Sequence, residues 1–156
     1  GSGAIALAIA SERPKASVLA VDFSHKALNV ASHNKKALKI QNCEMLHNSW
    51  LADWQLGTMD VLVSNPPYVE ANDPHLKDLS FEPYEALVAE NYGLADIRMI
   101  TEQAISVLNS KGWLLFEHGF DQAVKVRDIL IACGFDSVQS FKDIAGNDRV
   151  TLGQKL

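Results

Sequence analysis

At 156 residues, 47% of them hydrophobic, the chain is long enough to bury a core and reads most simply as one domain. Its formal net charge of −5, with no basic run denser than Lys35, Lys36 and Lys39, weighs against a partner gripped through its phosphates. Two cysteines, Cys43 and Cys133, fall in unrelated segments without metal-ligand spacing, and no apolar run reaches the ~18 residues of a membrane span; a reduced, cytoplasmic setting with no signal peptide, metal or membrane is expected.

Gly1-Ser2-Gly3 leads into a segment, Gly3 to Glu12, whose Ala4, Ile5, Leu7, Ala8 and Ile9 predict a helix stopped before Pro14. Glycines at a helix start let the backbone approach a ligand closely, beside N–H groups that favour negative charge. Ser17 to Asp22 predicts a buried strand ending on an acid, the place where a carboxylate takes both hydroxyls of a ribose. The glycines and Asp22 together, upstream of Asn65-Pro66-Pro67-Tyr68, favour S-adenosylmethionine over a dinucleotide, whose third fingerprint glycine is replaced here by Ala6. Ser24 suits the N-cap of a helix running to about Ala37, and Asn42 to Leu46 predicts a weaker strand.

Met59 to Ser64 predicts another strand, and it ends in Asn65-Pro66-Pro67-Tyr68. The Asn65 side-chain carbonyl and a backbone carbonyl of the Pro-Pro segment are two acceptors for the two donors of a planar NH₂ group. Prolines fix φ and carry no N–H, so the turn presents its carbonyls stiffly, and Tyr68 can lie against a flat amide or base. The tetrapeptide points to methyl transfer onto an sp² nitrogen. Pro66 to Tyr92 then forms a long irregular connection, a length usually kept for function. Ala95 to Asn109 predicts a helix with Gly112 at its end, Trp113 to Glu117 a strand, and Asp121 to Ala132 a helix. Phe135 to Phe141 and Asp148 to Gln154 predict the last two strands. Alternating strands and helices imply an α/β fold with a mostly parallel sheet, whose ligands bind beyond the carboxyl ends of the strands, where Asp22 and Asn65 fall.

On these residues the whole chain resembles the catalytic domain of the release-factor glutamine N5-methyltransferases. Three further stretches carry the likeness: Phe81-Glu82-Pro83-Tyr84-Glu85-Ala86-Leu87 with Gly93-Leu94, then Glu117-His118-Gly119, then Asp143 to Gly153 containing Asn147-Asp148-Arg149-Val150-Thr151. The resemblance implies a Rossmann-like, S-adenosylmethionine-dependent methyltransferase sheet of seven strands, the final one antiparallel. Its implied substrate is the glutamine of the Gly-Gly-Gln loop in bacterial class 1 peptide-chain release factors. It implies cofactor binding by Gly1, Ser2, Gly3, Asp22, Trp50 and Asn65, and a grip on the glutamine amide by Asn65, Pro66, Pro67 and Tyr68, with Asn65, Pro66 and Tyr68 at the reacting centre.

Two departures from the family pattern stand out. Ser49 occupies the place of an Asp that meets the adenine amino group, exchanging a charged acceptor for a neutral one. The N-terminal helical domain and the first, central strand of the family are missing before Gly1, so residues 1–156 are expected to be a partial catalytic domain with exposed strand edges. Two other readings stay open: an adenine or guanine amino-methyltransferase, which needs a basic groove and an unpaired base, and an inactive remnant. His118 is read as a strand-end histidine supporting the loop, and Arg149 as a partner for Glu82 or Glu85.

Overall fold

Small and aliphatic side chains wind Ala4–Glu12 into helix α1, which starts as soon as Gly3 has turned the chain with a left-handed φ of 79°. The computed structural model describes residues 1–68 and 93–156, and these divide into two units, Gly1–Asp53 and Trp54–Leu156. In the first unit α1 is followed by β1 (Val18–Asp22), α2 (His25–Ala37) and β2 (Cys43–His47). Ser24 caps α2 as expected, its hydroxyl accepting from the Ala27 N–H at 3.3 Å. β1 and β2 run parallel, in register from Val18 opposite Cys43 to Asp22 opposite His47. Leu7 and Ala10 of α1 close over Ile40 and Cys43, with Val18, Ala20 and Met45 packed against them. The Asn42 amide lies within 3.1 Å of the carbonyls of Ala10, Arg13 and Ala16, satisfying the end of α1 and the turn beyond it.

The second unit holds β3 (Met59–Ser64), α3 (Ala95–Val107), β4 (Leu108–Glu117), α4 (Ala123–Ala132), β5 (Phe135–Lys142) and β6 (Asp148–Lys155). Its strands lie in the order β3-β4-β6-β5. β3 and β4 are parallel, while β6 runs antiparallel to both β4 and β5, as expected of the final strand. Apolar residues at helical spacing on α3 (Ile97, Ile100, Ala104, Val107) and on α4 (Val126, Ile129, Leu130) are buried, as are Leu114 and Phe116 of β4.

Two expectations change. The helix expected over 95–109 stops at Val107, and Gly112 lies inside β4 instead of at a helix end. The chain crosses directly from helix to strand: Leu108 pairs with Met59, the register shifts, and Lys111 takes a φ of 64° before Trp113 meets Val61. Periodicity alone marks Leu108 as one more helical apolar position, but the Lys155 ammonium gathers the carbonyls of Ile105 and Leu108 and closes the helix there. Second, β1 is half-buried, with Leu19 36% exposed, because among the described residues it has a strand on one edge only. β3 likewise pairs with β4 alone among the described residues, so it too has one unpaired edge there. Arg149 meets Asp143 at 3.4 Å; its expected partners Glu82 and Glu85, with the whole Phe81–Leu87 stretch, lie outside the described residues.

Candidate active site

In the first unit, the carboxyl ends of β1 and β2 are tied side by side. The Asn48 N–H donates to the Asp22 carbonyl at 3.2 Å, and the His47 ring nitrogen to the Phe23 carbonyl at 2.8 Å. The half-buried Asp22 carboxylate accepts the Ser24 N–H at 2.8 Å through one oxygen and pairs with the Gly1 amino group through the other. That second oxygen therefore points toward the Gly1–Gly3 segment. Ser2 is held by its carbonyl, which accepts from the Asn34 amide at 3.0 Å. Gly3 has no alternative: its φ is 79° and a Cβ would come within 2.9 Å of the Ala31 Cβ. Beyond β2, the Asn48 side chain receives the Ser49 N–H at 2.9 Å and donates to the Ala52 carbonyl at 3.0 Å, winding a tight loop. Trp50 sits in that loop with a left-handed φ of 50° and a half-buried ring, next to the exposed Ser49. Gly1, Ser2, Gly3 and Asp22 are thus gathered at one place, and the Trp50 loop springs from the strand end beside it.

In the second unit, Asn65-Pro66-Pro67-Tyr68 leaves the carboxyl end of β3. Pro66 is fully buried and pins the turn, whereas Asn65 is exposed and its carboxamide has no hydrogen-bond partner among the described residues. Three residues hold the far end of the turn. Gln122 donates from its side-chain nitrogen to the Tyr68 carbonyl at 3.0 Å, and its side-chain oxygen accepts the Gly119 N–H at 2.8 Å. Gly93, at φ 72°, backs onto the same carbonyl so closely that a Cβ there would sit 2.1 Å from the Tyr68 oxygen.

His118, completely buried at the end of β4, underpins Gly119. A carbonyl can only accept, so the His118 Nδ1–H donates to the Gly119 oxygen at 2.8 Å. Nε2 must then accept from the Thr151 hydroxyl at 2.7 Å, which in turn takes the Ser140 hydroxyl at 2.7 Å, which takes the Arg127 guanidinium at 2.7 Å. Burial holds the His118 imidazole below its usual pKa, so it stays neutral and keeps this one-way chain. His118 is a support for the loop, with its ring turned into the protein. Gln122 was not among the residues picked out from sequence. The signal available was a glutamine at a helix start, where serine or aspartate is the usual cap, three residues past a strand-end glycine.

The model of the methyltransferase small domain matches residues 1–80 of this chain. A release factor glutamine methyltransferase of Vibrio cholerae is 50% identical over 157 residues, covering 99% of this chain and 55% of that protein. The one from Escherichia coli is 44% identical over 156 residues (99% and 56%), and that of Pseudomonas aeruginosa 47% over 148 (94% and 54%). The chain spans about half the length of these curated relatives. Among solved structures, a ribosomal protein L11 methylase from Lactobacillus delbrueckii superposes with a TM-score of 0.69 at 24% identity, covering 100% of this chain and 67% of that one. A Thermus thermophilus 16S rRNA N2 G1207 methyltransferase, in complex with AdoMet and guanosine, gives 0.72 at 18% identity (100% and 35%). At such identities the two structures share with this chain the Rossmann-like methyltransferase fold and nothing narrower.

Proposed function

We infer the activity from a plain premise: this chain belongs to the methyltransferase small domain family. We propose that it is the catalytic part of an S-adenosylmethionine-dependent enzyme that methylates the side-chain amide nitrogen of the glutamine in the Gly-Gly-Gln loop of class 1 release factors. The observation that carries this is the Asn65–Tyr68 turn at the end of β3, with Asn65 exposed and unpartnered among the described residues while Pro66 and the Tyr68 carbonyl are locked. Relatives named release factor glutamine methyltransferase at 42–50% identity support the same reading. The free thiols of Cys43 and Cys133 suit the reducing cytoplasm, where translation ends.

The first unit fits the donor. Asp22 offers a carboxylate at a strand end for ribose hydroxyls, Gly1 to Gly3 leave the backbone bare at the start of α1, and Trp50 supplies an aromatic face on the loop beyond β2. When bound, S-adenosylmethionine supplies an electrophilic methyl group on a sulfonium centre. The chain's own residues then serve the acceptor. An amide nitrogen is a poor nucleophile because its lone pair is delocalised into the carbonyl. The Asn65 side-chain oxygen and the Pro66 carbonyl would each accept one of its N–H groups, fixing its orientation and raising its electron density. Tyr68 would cover one face of the amide, and Pro67 keeps the backbone between them stiff. Alignment of this kind supplies roughly 7–11 kcal/mol of barrier lowering. No general base is needed, since the surplus proton leaves to water after transfer.

The test is methyl incorporation from labelled S-adenosylmethionine by the full-length protein, with a purified class 1 release factor and its Gly-Gly-Ala variant as substrates, and ribosomal RNA and DNA alongside. Label in the release factor that vanishes with the alanine variant is the expected result. Label in nucleic acid alone would overturn the reading.

A further inference from the structure

The geometry points to Gln122 as a positioning residue for methyl transfer: a clamp that fixes the Tyr68 carbonyl, and through it the Asn65–Tyr68 turn, at the end of β4. The inference rests on the proposed amide-methylating role of that turn.

Gln122 stands at the N-cap of α4, yet its side chain makes no capping bond to the helix. Its carboxamide instead bridges two other pieces of backbone, accepting from the Gly119 N–H and donating to the Tyr68 oxygen. Two glycines make room for the amide plane. A Cβ on Gly119 would lie 3.1 Å from the Gln122 oxygen, and one on Gly93 would lie 2.6 Å from its nitrogen. The bridge is 6% exposed, so water competes little for either hydrogen bond. Gly119 is itself braced, because Gln122 N–H returns to its carbonyl at 3.0 Å and His118 donates to the same oxygen. The rigid end of β4 is thereby coupled to the turn through one side chain. Two residues separate the clamped Tyr68 carbonyl from Asn65, and proline rings fill both places, so the constraint reaches Asn65 with little slack. Misplacement of reacting groups by about 1 Å costs on the order of 100-fold in rate.

Two variants of the full-length enzyme separate the arms of the clamp. Gln122→Glu, assayed at about pH 9 so that its carboxylate is ionised, keeps the shape and the acceptor for Gly119 but cannot donate to Tyr68; Gln122→Ala removes both. For both we expect kcat on the release factor to fall about 10- to 100-fold, with the S-adenosylmethionine Kd within twofold of wild type. Hydrogen exchange at the Gly119 amide, followed by mass spectrometry, should stay slow in Gln122→Glu and quicken at least tenfold in Gln122→Ala. A residue that merely stabilised the fold would lower Tm and donor affinity together instead of splitting kcat from Kd. Wild-type kcat in Gln122→Glu overturns the positioning role, and unchanged Gly119 exchange in Gln122→Ala overturns the clamp. If the wild-type protein fails to label the release factor, the proposed substrate is wrong; the exchange measurement still decides the clamp.

Discussion

Replacing Gly93 by alanine puts a methyl group where the Tyr68 carbonyl already sits. Two costs follow from the structure. The left-handed φ of 72° penalises any side chain by roughly 1–2 kcal/mol. The added carbon would stand 2.1 Å from the Tyr68 oxygen and 2.6 Å from the Gln122 nitrogen, so one of them must move and their hydrogen bond is lost, a further 0.5–1.5 kcal/mol or so. The sum is about 1.5–3.5 kcal/mol. Gly134 has a similar φ of 87° with nothing within 4 Å of its virtual Cβ, so Gly134→Ala isolates the conformational part alone, about 1–2 kcal/mol. Urea unfolding of both variants beside wild type measures the difference, read from midpoints at constant m. Equal destabilisation by the two substitutions would show that the Tyr68 carbonyl is not seated against Gly93, and the clamp would lose its second wall.

Asn65→Ala should reduce methylation at least 100-fold while calorimetry finds the S-adenosylmethionine Kd nearly unchanged; turnover like wild type would refute the amide grip. Asp22→Ala removes a charged acceptor worth roughly 1.5–3 kcal/mol, so the donor Kd should rise about 10- to 100-fold, and an unaltered isotherm would unseat Asp22 from the cofactor site. Stability should fall as pH drops below about 6.5, where an unfolded histidine takes up a proton that buried His118, with its depressed pKa, resists. The slope reaches at most about 1.4 kcal/mol per pH unit from this group, ending once the folded form is protonated as well; His118→Asn should flatten urea midpoints between pH 5 and 7.

Most of the fold was legible because it follows from local chemistry. Ser24 is a good cap and caps; the prolines at 66 and 67 end a strand; α3 and α4 bury the faces their spacing assigns. The misplaced boundary at Leu108 has a non-local cause, since Lys155 ends the helix from 47 residues along the chain. The Asn65–Tyr68 turn was visible as a motif, and so were the glycines and Asp22 around the first strand. What supports the turn was not. Gln122 and Gly93 reach Tyr68 from far along the chain, and only three-dimensional packing makes a helix-start glutamine into a bridge. His118 was read correctly as a support, but its directional chain through Thr151, Ser140 and Arg127 links three separate elements that no spacing rule connects.

The placement of β6 between β4 and β5 bears on how the protein is made. Trp113 waits for Gln154, and Asp136 for the same residue from the other side, so when they leave the ribosome β4 has β3 on one edge but not β6 on the other, and β5 has no described strand beside it. The long-range β4–β6 pairing forms slowly, and during synthesis one edge of Leu108–Glu117 stays bare, with Phe135–Lys142 unpaired among the described strands, until residues 148–155 thread between them. Nascent chains paused short of Asp148 are therefore the species most in need of chaperone cover.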